Sequence, residues 1–213
     1  MKKVIILLFA ACLTQASIAQ SEKYQAAMLQ NISKLDSIVV NNNAQELANN
    51  FTRIGDAEKN QWLPYYYASY ATILQALMTQ DYSKNDALAD NARELLDKAE
   101  AVYGKDNSET NVIRSMIATA HMMVDPQNRY SNYGPSISSY IEKSKTQDPA
   151  NPRPVLLLAQ NTFYTPESFG GGKEAAKDYF TSADTLYKNF KPETELSPTW
   201  GGQSLEYFLS QYK

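Results

Sequence analysis

Few residue types in this sequence could do chemistry. One His and one Cys among 213 residues exclude a disulfide framework and the usual zinc sites. His121 lies one helical turn past Ala118 and two past Arg114. No Ser, Cys or carboxylate stands beside it at helical spacing to make a nucleophile pair, so it reads as a groove wall or a structural histidine. Gly170-Gly171-Gly172-Lys173 could aim backbone N–H groups at an anion ahead of a helix. Glu174 stands where a phosphate loop needs Ser or Thr, and a helical context supplies no strand. The glycines therefore read as a tight connector that tucks Phe169 between helices. Glu193 and Glu195, flanked by prolines, read as solvated loop charges and not as a catalytic pair. The 15 tyrosines can serve packing or recognition, since each has an apolar body and a polar tip. Tyr66 and Tyr70 share a helical stripe with Trp62 and belong to a core, whereas Tyr65, with Ser69 and Thr72 above it, points elsewhere and could face a groove. No residue set calls for a catalytic centre, a cofactor or a metal.

The elements that must position these groups are helices. Tyr24, Met28, Ile32, Leu35 and Val39 recur every three or four residues, as do Leu88, Ala92, Leu95, Leu96, Ala99 and Val102, the latter run stopped by Gly104. Further helices fit Glu109 to Val124, Pro135 to Lys145, Pro152 to Tyr164, Lys173 to Phe190 and Gln203 to Tyr212, and no stretch alternates as a strand would. Gln80 to Asp86, Asp125 to Gly134 and Thr165 to Gly172 read as connectors; Asn43 followed by Glu46 has capping-box spacing. A trio spaced four and then three residues apart recurs in every second helix: Leu47/Phe51/Ile54, Ala92/Leu96/Ala99, Ile137/Ile141/Ser144 and Ala176/Phe180/Ala183, stepping by 45, 45 and 39 residues.

On the last three of these trios the chain resembles the tetratricopeptide repeat (TPR) family, whose second helix carries Ala, a bulky apolar residue and Ala in this spacing, a pattern that each of the three keeps at least in part. The period is longer than that family's, which fits longer connectors. Trp62-Leu63-Pro64-Tyr65-Tyr66-Tyr67-Ala68 and Thr165 to Lys173 are similar to stretches of exported TPR-like proteins of Bacteroidota. The resemblance implies a right-handed α-solenoid of about four helix pairs with a C-terminal closing helix, a Gram-negative envelope setting and no reaction.

Lys2 and Lys3 precede ten apolar residues, Val4 to Leu13, a run too short to span a bilayer, and Ser17-Ile18-Ala19 follows with small residues at the cleavage positions. Residues 1–19 are thus expected to be a signal peptide cleaved after Ala19 or Gln20, and 20–213 a single TPR-like domain, periplasmic or secreted. Cys12 lies inside the apolar run with Phe9 three places before it, a poor lipoprotein signal. Cleavage removes two lysines and no acid, leaving 18 basic and 23 acidic side chains and a net charge of −5, which disfavours nucleic acid as a partner. The expected function is non-catalytic binding of a protein or peptide in a concave groove lined by Tyr65, Ser69, Thr72, Arg114, His121, Arg153, Gln160 and Tyr164. The alternative is a small-ligand or carbohydrate-binding module that uses Tyr65 and Tyr164 for stacking.

Overall fold

The computed structural model describes residues 22–38 and 42–213; the segment read as a signal peptide, with Cys12, lies outside them, as do Val39 and Asn41. Among the described residues every regular element is helical. The α-helices are α1 (22–32), α2 (Ala44–Glu58), α3 (Leu63–Met78), α4 (Asn85–Tyr103), α5 (Ser108–Met123), α6 (Pro126–Gln147), α7 (Arg153–Tyr164), α8 (Lys173–Asn189) and α9 (Gly202–Ser210). None is long and apolar enough to cross a membrane.

Local signals account for most boundaries. Gly104 closes α4 in the left-handed region (φ 89°), where its amide donates to the Glu100 carbonyl. Asn107 and Thr110 form a reciprocal capping box at the start of α5. Asn43, by contrast, caps nothing with its side chain. The connector expected over Asp125 to Gly134 is itself helix: Asp125 accepts from the Asn128 amide, Pro126 occupies the first turn, and α6 continues through Gly134 and Pro135 to Gln147. Pro135 cannot donate to the carbonyl of Ser131, so α6 lacks one bond of its ladder there, and packing against α5 and α7 holds the helix in its place.

Each helix from α2 to α9 packs against the next in sequence, and α5 also touches both α3 and α7. The four recurring trios all point inward; of their twelve residues only Ile54 is not buried. Helix α3 carries no charge, and every residue from Pro64 to Ile73 is buried, as expected of a helix that is apolar on all sides. A large core runs from Met28 through Phe51, Tyr66, Leu96 and Ile113 to Ile141 and Trp200, and a smaller one joins Leu156, Phe180 and Phe208 at the C-terminal end.

The face shared by α3, α5 and α7 is covered by the chain itself. Residues 190–201, between α8 and α9, return across it. Trp200 stacks on Tyr70 with ring centroids 4.3 Å apart, Tyr67 donates to the Leu196 carbonyl at 2.8 Å, and Gln25 of α1 donates to Glu195 at 3.1 Å. Beneath this strap lies an ion pair. Arg153, 1% exposed, donates from Nε to both Glu109 oxygens at 2.9 and 3.0 Å, and its guanidinium sits 4.7 Å from the Phe190 ring centre. Asn151 and the Tyr66 hydroxyl also donate to Glu109, at 2.7 and 2.8 Å, and Trp200 Nε1 donates to Tyr66.

Candidate functional site

Three helices present one face each to a common groove. Asp86, Asp90 and Arg93 lie on α4 at steps of four and three; Arg114, Ile117, Ala118 and His121 lie on α5; Arg129, Tyr133, Ser136 and Tyr140 lie on α6. Such spacings put each set on one side of its helix, and the continuity of α6 through Pro135 brings Arg129 and Tyr133 into line with Ser136 and Tyr140. The groove encloses about 470 Å³, within the range of roughly 300–1,000 Å³ usual for small-molecule sites.

Part of its lining is a hydrogen-bonded polar cluster. Asp86 accepts from Arg129 Nη1 and Nη2 at 2.6 and 2.9 Å and meets His121 Nδ1 at 2.7 Å, while Arg129 Nη1 also donates to the His121 carbonyl. These bonds, first Arg129 and then His121, hold the Asp86 carboxyl down at about 2. A carboxylate at that position only accepts, so a neutral His121 ring carries its proton on Nδ1 and turns Nε2 toward Asp90, 3.8 Å away. The His121 and Tyr133 rings lie nearly parallel, 12° between planes with centroids 5.2 Å apart. Ile117 and Ala118, both buried, add apolar surface. Arg114 donates from Nε to Glu100 at 3.0 Å and from Nη2 to Asp97 at 3.0 Å. The Glu100 contacts keep the guanidinium protonated well above its ordinary range. The groove thus combines aromatic rings with guanidinium groups, a combination suited to a planar, partly anionic ligand.

No protein-family model matches the chain, and neither does any curated protein. Among solved structures it is similar to the HusA haemophore from Porphyromonas gingivalis, with 34% identity and a TM-score of 0.78 over 89% of this chain and 92% of that one. The chain belongs to the HusA family. The likeness spans nearly all of both chains, so the three helices of the groove belong to the shared fold.

In this HusA-family chain the eight residues expected to share one strip are dispersed. Arg114 and His121 line the groove. Tyr65 is only 7% exposed, and its hydroxyl donates to Asp56 at 2.9 Å. Ser69 and Thr72 are buried, donating to the carbonyls of Ala92 and Ala68; Thr72 reaches only the edge of a smaller polar hollow between α2 and α4. Arg153 is in the core, paired with Glu109. Gln160 donates to Ser204 of α9, and Tyr164 stands exposed beside Phe208 at the far end. The strip fails to form because α3 is enclosed on every side and residues 190–201 cover the α3–α5–α7 face. The glycine connector has no free donors to offer an anion, since the Gly171 and Gly172 amides are spent on the Pro166 and Thr162 carbonyls. Phe169 is not tucked between helices but exposed. Asp86, Asp90, Arg93, Ser136 and Tyr140 escaped sequence reasoning, and Arg129 to Gly134 reads from sequence as a polar, aromatic connector, a place for binding residues but more readily a plain surface loop; the run Arg129–Tyr133–Ser136–Tyr140 is at helical spacing and becomes visible once a helix is drawn through Pro135.

Proposed function

We propose that this protein is a non-catalytic carrier that binds haem or a closely related tetrapyrrole in the α4–α5–α6 groove. The observation that carries the reading is the groove's make-up: the His121–Tyr133 stack in one groove with Arg93 and Arg114, in a chain whose relative HusA is a haemophore. A tetrapyrrole is a broad apolar plate with carboxylates, and the groove offers both kinds of surface. This favours the small-ligand reading over a peptide scaffold, whose expected binding face is filled by residues 190–201. The N-terminal sequence and the relation to a haemophore together support an exported protein. The helix pairs are read as TPR-like units stacked into a solenoid, supported by the α3–α5–α7 contacts.

The test is titration of the purified chain with haem, followed by absorbance and by quenching of aromatic fluorescence. Saturable binding is expected. Tyr133→Ala should weaken it about tenfold, the equivalent of about 1.4 kcal/mol, since a stacked ring contributes roughly 0.5–1.5 kcal/mol beyond its buried area. Helix content should be unchanged. Absence of saturable binding by the wild-type chain, or equal affinities for wild type and Tyr133→Ala, would refute the assignment.

A further inference from the structure

The charged wall of the groove says more about what it accepts, and the following rests on the ligand-binding reading above. Arg93 and Arg114 stand on the adjacent helices α4 and α5. Asp97, one turn along α4 from Arg93, accepts from Arg114 Nη2 at 3.0 Å, and both arginines line the groove. Neither is fully engaged. Arg93 is tied to Asp90 alone, at 2.9 Å, with both side chains about half exposed (51% and 52%). Arg114 gives Nε and Nη2 to Glu100 and Asp97, and its Nη1 has no protein acceptor among the described residues. Arg129 differs, because both of its terminal nitrogens are already spent on Asp86. Flat surface comes from Tyr133 and Tyr140, which line the groove from α6.

We propose that Arg93 and Arg114 are the specificity determinants of this groove, selecting planar aromatic ligands that carry free carboxylates along one edge. The ligand's carboxylates replace Asp90 and Asp97 as partners. Those aspartates are about half exposed (52% and 57%), and exposed pairs of this kind are weak enough to exchange. While the groove is empty they neutralise the arginines, so that small anions gain little. A dicarboxylate held at its plane by stacking presents two acceptors at once to two guanidinium forks, the geometry arginine matches best.

The experiment compares metal-free protoporphyrin with its dimethyl ester, which keeps the plate and removes both charges. Fluorescence titration is run on the wild-type chain, Arg93→Gln and the Arg93→Gln/Arg114→Gln double variant, with circular dichroism as a check on folding. The free acid should bind wild type about tenfold more tightly than the ester, as loss of a charge-assisted contact predicts. The gap should narrow in Arg93→Gln and close in the double variant while ester affinity holds steady. Removing Arg114 strands Glu100, so if the double variant unfolds, the exposed Arg93→Gln decides alone through a selective loss of acid affinity. Equal binding of acid and ester by wild type, or undiminished selectivity in a folded variant, overturns the inference and leaves the groove as the site. Binding of neither ligand by wild type overturns the groove reading itself.

Discussion

Replacing Glu109 by alanine should be among the most damaging single changes available in this fold. The Glu109 carboxylate receives Arg153 Nε twice, at 2.9 and 3.0 Å, as well as Arg153 Nη2, Asn151 at 2.7 Å and the Tyr66 hydroxyl at 2.8 Å. Without it Arg153, 1% exposed, becomes a buried cation held only by the faces of Phe190 and Trp200. Breaking a buried pair by removing one partner costs about 3–5 kcal/mol, roughly a fifth or more of a typical domain's stability of about 5–15 kcal/mol. For a domain of this size each kcal/mol lowers Tm by roughly 2–4 °C, so a drop of about 6–20 °C is expected. Thermal unfolding measures the shift, and urea unfolding followed by circular dichroism and Trp fluorescence measures the free-energy loss. Asp184→Ala, which releases Lys188 from an i,i+4 pair in which the lysine is 72% exposed, should shift stability by no more than about 0.5 kcal/mol. Removing both charges in Glu109→Leu/Arg153→Met should recover much of the loss, because hydrophobic replacement of a buried pair is often neutral. A loss below about 1 kcal/mol for Glu109→Ala, or a double variant no better than the single, would refute this reasoning.

Further outcomes follow from the same geometry. Burial holds the Tyr66, Tyr67 and Tyr70 phenols well above their ordinary range and pushes Tyr24 up to about 12. Their raised folded values make this stability complete below about pH 10, the unfolded value, and progressively lost above it; an absorbance titration that ionised all tyrosines near pH 10 without unfolding would contradict the packing. Asp86, held at about 2, stabilises the fold above about pH 4, the unfolded range, and loses that contribution as pH falls toward 2. A carboxyl NMR midpoint near 4 would show that the Arg129 and His121 contacts are absent in solution. A Cβ on Gly171 would clash with the Thr165 carbonyl oxygen and meet that of Thr162 at 2.7 Å, whereas one on Gly202 meets nothing within 4 Å. Gly171→Ala should therefore cost about 1–3 kcal/mol and Gly202→Ala much less, and equal melting temperatures would contradict the close turn. Ala99 is fully buried where α4 meets its neighbours, so Ala99→Trp should cost at least about 1–3 kcal/mol by overpacking; an unchanged Tm would mean that face is open.

Helix-period signals made the all-α class and most helix spans legible, and the four trios correctly marked inward faces. Two physical circumstances hid the site. Gly134-Pro135 is ordinarily a helix boundary, yet tertiary packing carries α6 through it, so Arg129 and Tyr133 looked like loop residues. Tyr65, Ser69 and Thr72 were assigned outward because they leave the stripe of Trp62, Tyr66 and Tyr70, but a stripe has an opposite face only on a helix with a solvent side. The unbroken absence of charge from Leu63 to Met78 was the available sign that α3 has none. Arg153 could not be placed because its partner lies 44 residues away and its cover, residues 190–201, has no period to detect. His121 and Arg114 were found because both stand on a helix whose register was clear.

The strap of residues 190–201 changes what kind of object this chain is. In an open array each unit leans only on its neighbours, and an end can fray while the middle persists. Here Leu196 and Trp200 bond to Tyr67 and Tyr66 more than a hundred residues upstream, and Glu195 reaches α1. The late part of the polypeptide is thereby clasped to the early part, and the row of helices becomes a loop with its ends tied. Melting one end deprives the other of its cover, so the chain should open and close as one unit. That closure reaches the candidate groove indirectly, because α3, the helix that the clasp holds, packs against α4 and α5, which form two of its walls.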